Sequence, residues 1–158
     1  MVTKNYAGRS SELVNKRMSL LERQKEVVNE FTTLKDWEDR YKKLIEIGKA
    51  LPPLPDEKKH DEFKVKGCQS QVWMHARVHE GRVQFEADSD ALLVRGLVAL
   101  LLRVYSDATP DEILITPPDF IKDIGLESKL SPSRANGLLS MIKQMKFYAM
   151  AFKALASR

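Results

Sequence analysis

"QVWMHARVHEGRVQFEADSDALLVRGLVALLLRVY", residues 71–105, decides the fold. Its first half alternates: Val72, Met74, Ala76 and Val78 fall on one side of a strand, and Trp73, His75, Arg77 and His79 on the other. After Glu80-Gly81, read as a turn, "RVQFEAD" places Val83, Phe85 and Ala87 on one side of a second strand. Glutamate is a poor residue for a tight primed turn, so a longer loop is the alternative at this connection. The second half, "ALLVRGLVALLLRVY", is apolar nearly all round apart from Arg95 and Arg103, which marks a central buried helix. At about 15 residues it is too short for a bilayer. Asp88, Ser89 and Asp90 supply capping acceptors and negative charge at its start.

Upstream, "FKV" (63–65) is a candidate first strand, so "GCQSQ" (67–71) becomes a hairpin loop with Cys68 at its tip. A three-stranded antiparallel sheet with one apolar face needs helices to cover it, which defines an α+β domain. The helices are legible. Apolar positions from Glu12 to Phe31 approximate helical spacing, and a second helix runs from about Lys35 to Ala50 with Trp37, Tyr41, Leu44, Ile45 and Gly48 on one side. Prolines 52, 53 and 55 stop it. Thr109-Pro110-Asp111-Glu112 is a capping box, Ser131-Pro132 opens the last helix in the same way, and Gly125 ends a short helix between them.

The composition excludes several functions. One cysteine in 158 residues makes no internal disulfide and no Cys-x-x-Cys zinc site, and it cannot ligate an iron–sulfur cluster alone. The thiol is either inert filling or a reagent. No secretory signal or membrane span is readable, so the expected address is the cytoplasm. The net charge of +4 is concentrated at one end: residues 129–158 carry six basic groups and no acidic one. Lys143, Lys146 and Lys153 read as a solvated flank rather than a nucleic-acid stripe, because no interleaved aromatics accompany them.

Cys68 has polar neighbours on a loop between elements, whereas a core cysteine belongs on an apolar stripe. Gly67 frees the backbone before it. Lys64 and Lys66 could lower its pKa, but the gain is small. A drop of two units raises the thiolate fraction about 24-fold at pH 7, while the Brønsted slope removes a factor of about 6 to 10. Delivery to a partner and shelter from solvent matter more. At 100° per residue, Met141, Met145, Tyr148 and Phe152 lie within about 40° of Arg134, so this charge sits on the inward stripe of its helix. His75 and His79 share a strand face and could hold a metal or serve a Cys-His hydrolase, but no acidic orienter or oxyanion loop is legible, and no metal site is expected. Trp73 reads as sheet packing, with pocket lining as its alternative.

"GCQSQVW", "ADSDALLVRGLVALLLRVYSDATPDEI" and "LSPSRANGLLSMIKQMK" resemble the SufE family of sulfur acceptors over about residues 22–152. The resemblance implies an α+β fold of the SufE/IscU kind, as one domain over 21–158 preceded by a partly disordered extension over 1–20. It implies a carrier and stimulator rather than an enzyme. The chain would take persulfide sulfur from a PLP-dependent cysteine desulfurase (SufS-like) for iron–sulfur cluster assembly and pass it to a downstream scaffold, with no cofactor of its own and no nucleic-acid or membrane partner. It assigns Cys68 as the acceptor, flanked by Gly67, Gln69, Ser70, Gln71 and Trp73. Arg134 would lie near the thiol, and Asp88 and Asp90 would face the desulfurase. Two other classes stay open: an adaptor that activates a desulfurase without carrying sulfur, and a cysteine hydrolase or peroxidase.

Overall fold

A computed structural model describes residues 17–157. Among them, seven α-helices surround a two-stranded antiparallel sheet. The helix expected from Glu12 begins at Leu20: α1 spans Leu20–Thr32, and a Ser19–Glu22 capping box sets its start. Residues 12–16, and most of the extension expected over 1–20, lie outside the described residues. Helix α2 spans Trp37–Ala50, and β1 (Val72–His79) pairs with β2 (Arg82–Ser89). Then follow α3 (Leu92–Tyr105), α4 (Pro110–Ile115), α5 (Asp119–Asp123), α6 (Leu126–Lys129) and α7 (Pro132–Ala156).

The register runs from Val72 opposite Ser89 to His79 opposite Arg82, so the turn is only two residues long. Glu80 and Gly81 both take positive φ, 52° and 77°, as a primed turn requires. The turn read at Glu80-Gly81 is the one formed, and the longer alternative is not needed: strand twist selects the primed turn despite the glutamate. Val72, Met74, Val83, Phe85 and Ala87 point into the core as the alternation requires, while Val78, at the far tip, is 45% exposed because the hairpin projects beyond the helices.

The third strand is not formed. Residues 61–63 make a 3-10 turn instead, and what remains on that edge of β1 is one bridge, Lys64 opposite Trp73, with Val65 N–H donating to the Val72 carbonyl at 2.8 Å. Only three residues separate this turn from the positive-φ Gly67, too few to extend the pairing. The outer edge of β2 carries a similar single bridge, Val83 opposite Ala108.

Helix α3 is the core helix, with nine of its fourteen residues buried. It crosses α2 at almost bare backbone: a Cβ on Gly96 would lie 2.2 Å from the Leu44 carbonyl oxygen, and one on Gly48 would lie 2.8 Å from the Gly96 nitrogen. The crossing lets Arg95 reach the end of α2, where it donates to the carbonyls of Gly48 and Leu51. Arg23 does the same for α3, donating to the carbonyls of Val104 and Ser106. Cations at these ends offset helix dipoles and satisfy orphan carbonyls. Tyr148 of α7 ties the last helix to the sheet by donating to the Met74 carbonyl at 3.0 Å.

Candidate functional site

The loop before β1 lies against α7. Gly67 has φ +91°, a conformation that side chains rarely adopt, and a Cβ there would lie 2.6 Å from Ser140 Oγ. The positive φ favours glycine, as the sequence led one to expect, and the bare backbone lets Ser140 approach closely. Cys68 follows with its side chain turned onto the helix, half-buried, where Sγ donates to the Gly137 carbonyl at 3.6 Å. Gly137 is buried, and a Cβ on it would lie 3.3 Å from Sγ. A helix-interior glycine costs about 1 kcal/mol relative to alanine. This one makes room for sulfur.

Cys68 opens onto a cavity of about 290 Å³. Its floor is apolar, from Val94, Leu97 and Met141, and its walls are polar, from Gln69, Ser70, Ser131, Ser133 and Arg134. The first turn of α7 supplies much of that wall. Ser131 caps it, accepting from the Arg134 backbone N–H, and Ser133 Oγ donates to Gln69 Oε1 at 3.2 Å, joining helix to loop. Arg134 lines the cavity and is also exposed, so the inward stripe and the solvent-reaching head hold together for one long side chain.

Burial pushes the Cys68 thiol above its ordinary value. Lys64 and Lys66, which could have lowered it, do not offset that rise. Lys64 pairs with Asp61 at 3.5 Å, and both lysines line a separate groove with Ser140, Lys143 and Phe147, away from the thiol's cavity.

Asp88 and Asp90, two residues apart in sequence, do different things. Asp88 is 1% exposed: its carboxylate takes Arg95 Nη1 at 2.6 Å, the backbone N–H groups of Leu54 and Ser89, and Lys59 Nζ at 3.4 Å. It is a packing anchor in this fold and presents no surface to a partner, which corrects the docking role expected of it. Asp90 is exposed and clasps the thiol loop. Its Oδ1 accepts from the Gln71 N–H at 3.0 Å, and its own N–H donates to the Gln71 carbonyl at 3.2 Å. Neither caps α3 by side chain. Ser89 Oγ instead accepts from the Ala91 N–H just before the helix.

The structure brings Gly67, Cys68, Gln69, Ser70 and Arg134 together, with Gln71 and Asp90 holding the loop's far end. Trp73 does not line the cavity, because the alternation that sends Val72 and Met74 inward sends it outward, where Lys59 Nζ sits 5.5 Å from its ring. His75 lies on the same outer face, its ring edge-on to Phe63 and Nδ1 buried 3.6 Å from Glu86 Oε1. It is remote in role from the thiol. No group of three or more His, Cys, Asp or Glu side chains among the described residues is arranged to hold a metal ion. Of the residues the sequence reading missed, Gly137 had a signal: a glycine inside an otherwise well-formed helix calls for a close neighbour. Val94 and Leu97 had none, since a cavity floor and a core residue look alike in sequence.

Together these features define a small α+β scaffold built to seat one thiol at the mouth of a polar-walled recess. The model of the SufE family, described as an Fe-S metabolism associated domain, matches residues 25–149. The chain belongs to that family. It is 44% identical over 127 residues to an uncharacterized SufE-like protein of Synechocystis, covering 80% of each chain. It is likewise 44% identical over 126 residues to one of Rhizobium etli, covering 77% of this chain and 85% of the relative. A solution structure of a hypothetical protein from Thermus thermophilus superimposes with a TM-score of 0.69 at 27% identity, covering 85% of this chain and 96% of that one. Family membership associates the chain with Fe-S metabolism.

Proposed function

We propose that the chain is a sulfur carrier that accepts persulfide sulfur from a cysteine desulfurase onto Cys68 and stimulates that enzyme. The observation that carries this reading is the seat of the one thiol: half-buried, hydrogen-bonded to Gly137, and open to a cavity larger than the thiol needs. A water's share of liquid volume is about 30 Å³. The recess of about 290 Å³ therefore has room for an added sulfur atom and for solvent around it.

In the proposed step, the Cys68 thiolate attacks the outer sulfur of a cysteine persulfide on the desulfurase. A new S–S bond forms on Cys68, the original S–S bond breaks, and the desulfurase cysteine leaves as thiolate. Thiol and persulfide exchange places with no net oxidation. The PLP chemistry that makes the persulfide belongs to the partner. In the resting berth burial favours the protonated thiol, so the loop must carry Cys68 out to react. Gly67 at one end supplies the freedom, and the Gln71–Asp90 clasp at the other sets how far the loop opens. Back in the recess, the new persulfide lies among Gln69, Ser70, Ser133 and Arg134, shielded from bulk reductant. In this reading Asp90, exposed beside the loop, meets the desulfurase.

Cys68→Ser tests the reading: it is expected to fold normally, accept no sulfur and fail to stimulate multiple-turnover desulfuration. An adaptor that merely activates the enzyme would keep its stimulation after Cys68 is alkylated.

A further inference from the structure

The thiol loop and α7 run past each other in antiparallel order. Gly67 lies against Ser140, Cys68 against Gly137 and Gln69 against Ser133. At 100° per residue, positions 133, 137 and 140 fall within about 60° of one another, so a single face of the helix receives three successive loop residues.

The three contacts differ in kind. Gly67 and Ser140 meet by the close approach of bare backbone to a side chain. Cys68 Sγ donates to the Gly137 carbonyl at 3.6 Å, and a thiol is a weak donor. Ser133 Oγ donates to Gln69 Oε1 at 3.2 Å, hydroxyl to amide, and is the stronger of the two hydrogen bonds that hold the loop to α7 among the described residues.

The far end of the loop is tied elsewhere. Gln71 exchanges two hydrogen bonds with Asp90, which precedes α3, so Cys68 can lift from α7 without breaking that clasp. Gly67 at φ +91° is the turning point on the other side, and residues 68–70 are the part that moves. The donor does not move with them. Pro132 opens α7 and Ser131 caps it by accepting from the Arg134 N–H, so the turn carrying Ser133 is held independently of the loop.

Gln69 and Ser133 both line the cavity onto which Cys68 opens. When Gln69 leaves, the recess loses a wall in the same motion that frees the thiol. We infer that Ser133 is a positioning residue: its hydroxyl latches Gln69 onto α7, and release of that latch sets how often Cys68 is presented. The use of the latch in sulfur transfer rests on the carrier reading, whereas the latch itself belongs to the isolated chain.

Iodoacetamide alkylation of Cys68 in the full chain at pH 7 reads the presented fraction. Loss of one hydrogen bond of ordinary net strength is a factor of about five. Ser133→Ala is therefore expected to raise the alkylation rate about fivefold, and Ser133→Thr, which keeps the hydroxyl, to hold it at the parent's value. Gln69→Leu should match Ser133→Ala, and the double variant should gain no more than either alone, because both changes remove the same bond. A rate unchanged in Ser133→Ala, a threonine that fails to rescue, or two single effects that multiply in the double variant would overturn the inference. No desulfurase enters this assay, so a failed latch leaves sulfur carriage by Cys68 standing, and a chain that accepts no sulfur leaves the latch standing.

Discussion

Gly137 and Cys68 fit each other: a single added carbon on the glycine would lie 3.3 Å from the sulfur, tighter than an ordinary packing distance. The helix has given up a side chain at the one position where the thiol rests. Gly137→Ala is therefore expected to crowd Cys68 out of its berth while improving the helix propensity of α7 by about 1 kcal/mol. The measurement is the rate of iodoacetamide alkylation at pH 7, expected to rise several-fold. An unchanged rate would mean that the berth has slack.

The same berth governs pH dependence. Burial raises the native thiol's pKa, so alkylation of the folded chain should follow a profile shifted above the ordinary value of about 8.5. In urea it should return to that value. The linkage has a definite sign. A group whose pKa is raised by folding contributes stability that is complete below the unfolded pKa and declines as pH climbs through the folded one. Unfolding midpoints should accordingly fall above about pH 8.5, and less so in Cys68→Ser.

Asp88 and Asp90 separate under mutation. Asp88→Ala strands the partly buried Arg95 and removes the acceptor for Leu54 N–H, a loss of about 3–5 kcal/mol in urea unfolding. Asp90→Ala leaves global stability nearly unchanged but frees the Gln71 amide, which hydrogen exchange should report as faster local opening. Reversal to Asp90→Arg is expected to weaken binding to the desulfurase, measurable by titration calorimetry.

Gly96→Ala probes the frame. An added methyl would meet the Leu44 carbonyl at 2.2 Å, a backbone atom that cannot move without separating α2 from α3. A destabilisation of at least about 2 kcal/mol is expected, read from the thermal midpoint.

The sequence disclosed most where a local rule had no competitor. The alternation in 72–87 placed the core face of the hairpin, and the capping residues Thr109 and Ser131 set helix starts that the structure reproduces. It misled where long-range partners decide. Asp88 reads as a cap, yet Arg95 and Leu54 N–H, the latter 34 residues away, draw it into the interior. Residues 63–65 carry strand-like composition, but a 3-10 turn before them and a positive-φ glycine after them leave no length for a strand. Lys64 and Lys66 neighbour Cys68 in sequence, but the thiol opens onto the cavity at the start of α7 while the lysines line a groove farther along it, with Ser140, Lys143 and Phe147.

The central claim is that Cys68 carries sulfur, and mass spectrometry of the intact chain after incubation with a cysteine desulfurase and cysteine tests it most directly. A chain one sulfur atom heavier, with the addition mapped to Cys68 and removed by dithiothreitol, is the predicted result. A desulfurase fully stimulated by a chain whose Cys68 stays unmodified, or by the alkylated chain, would contradict it.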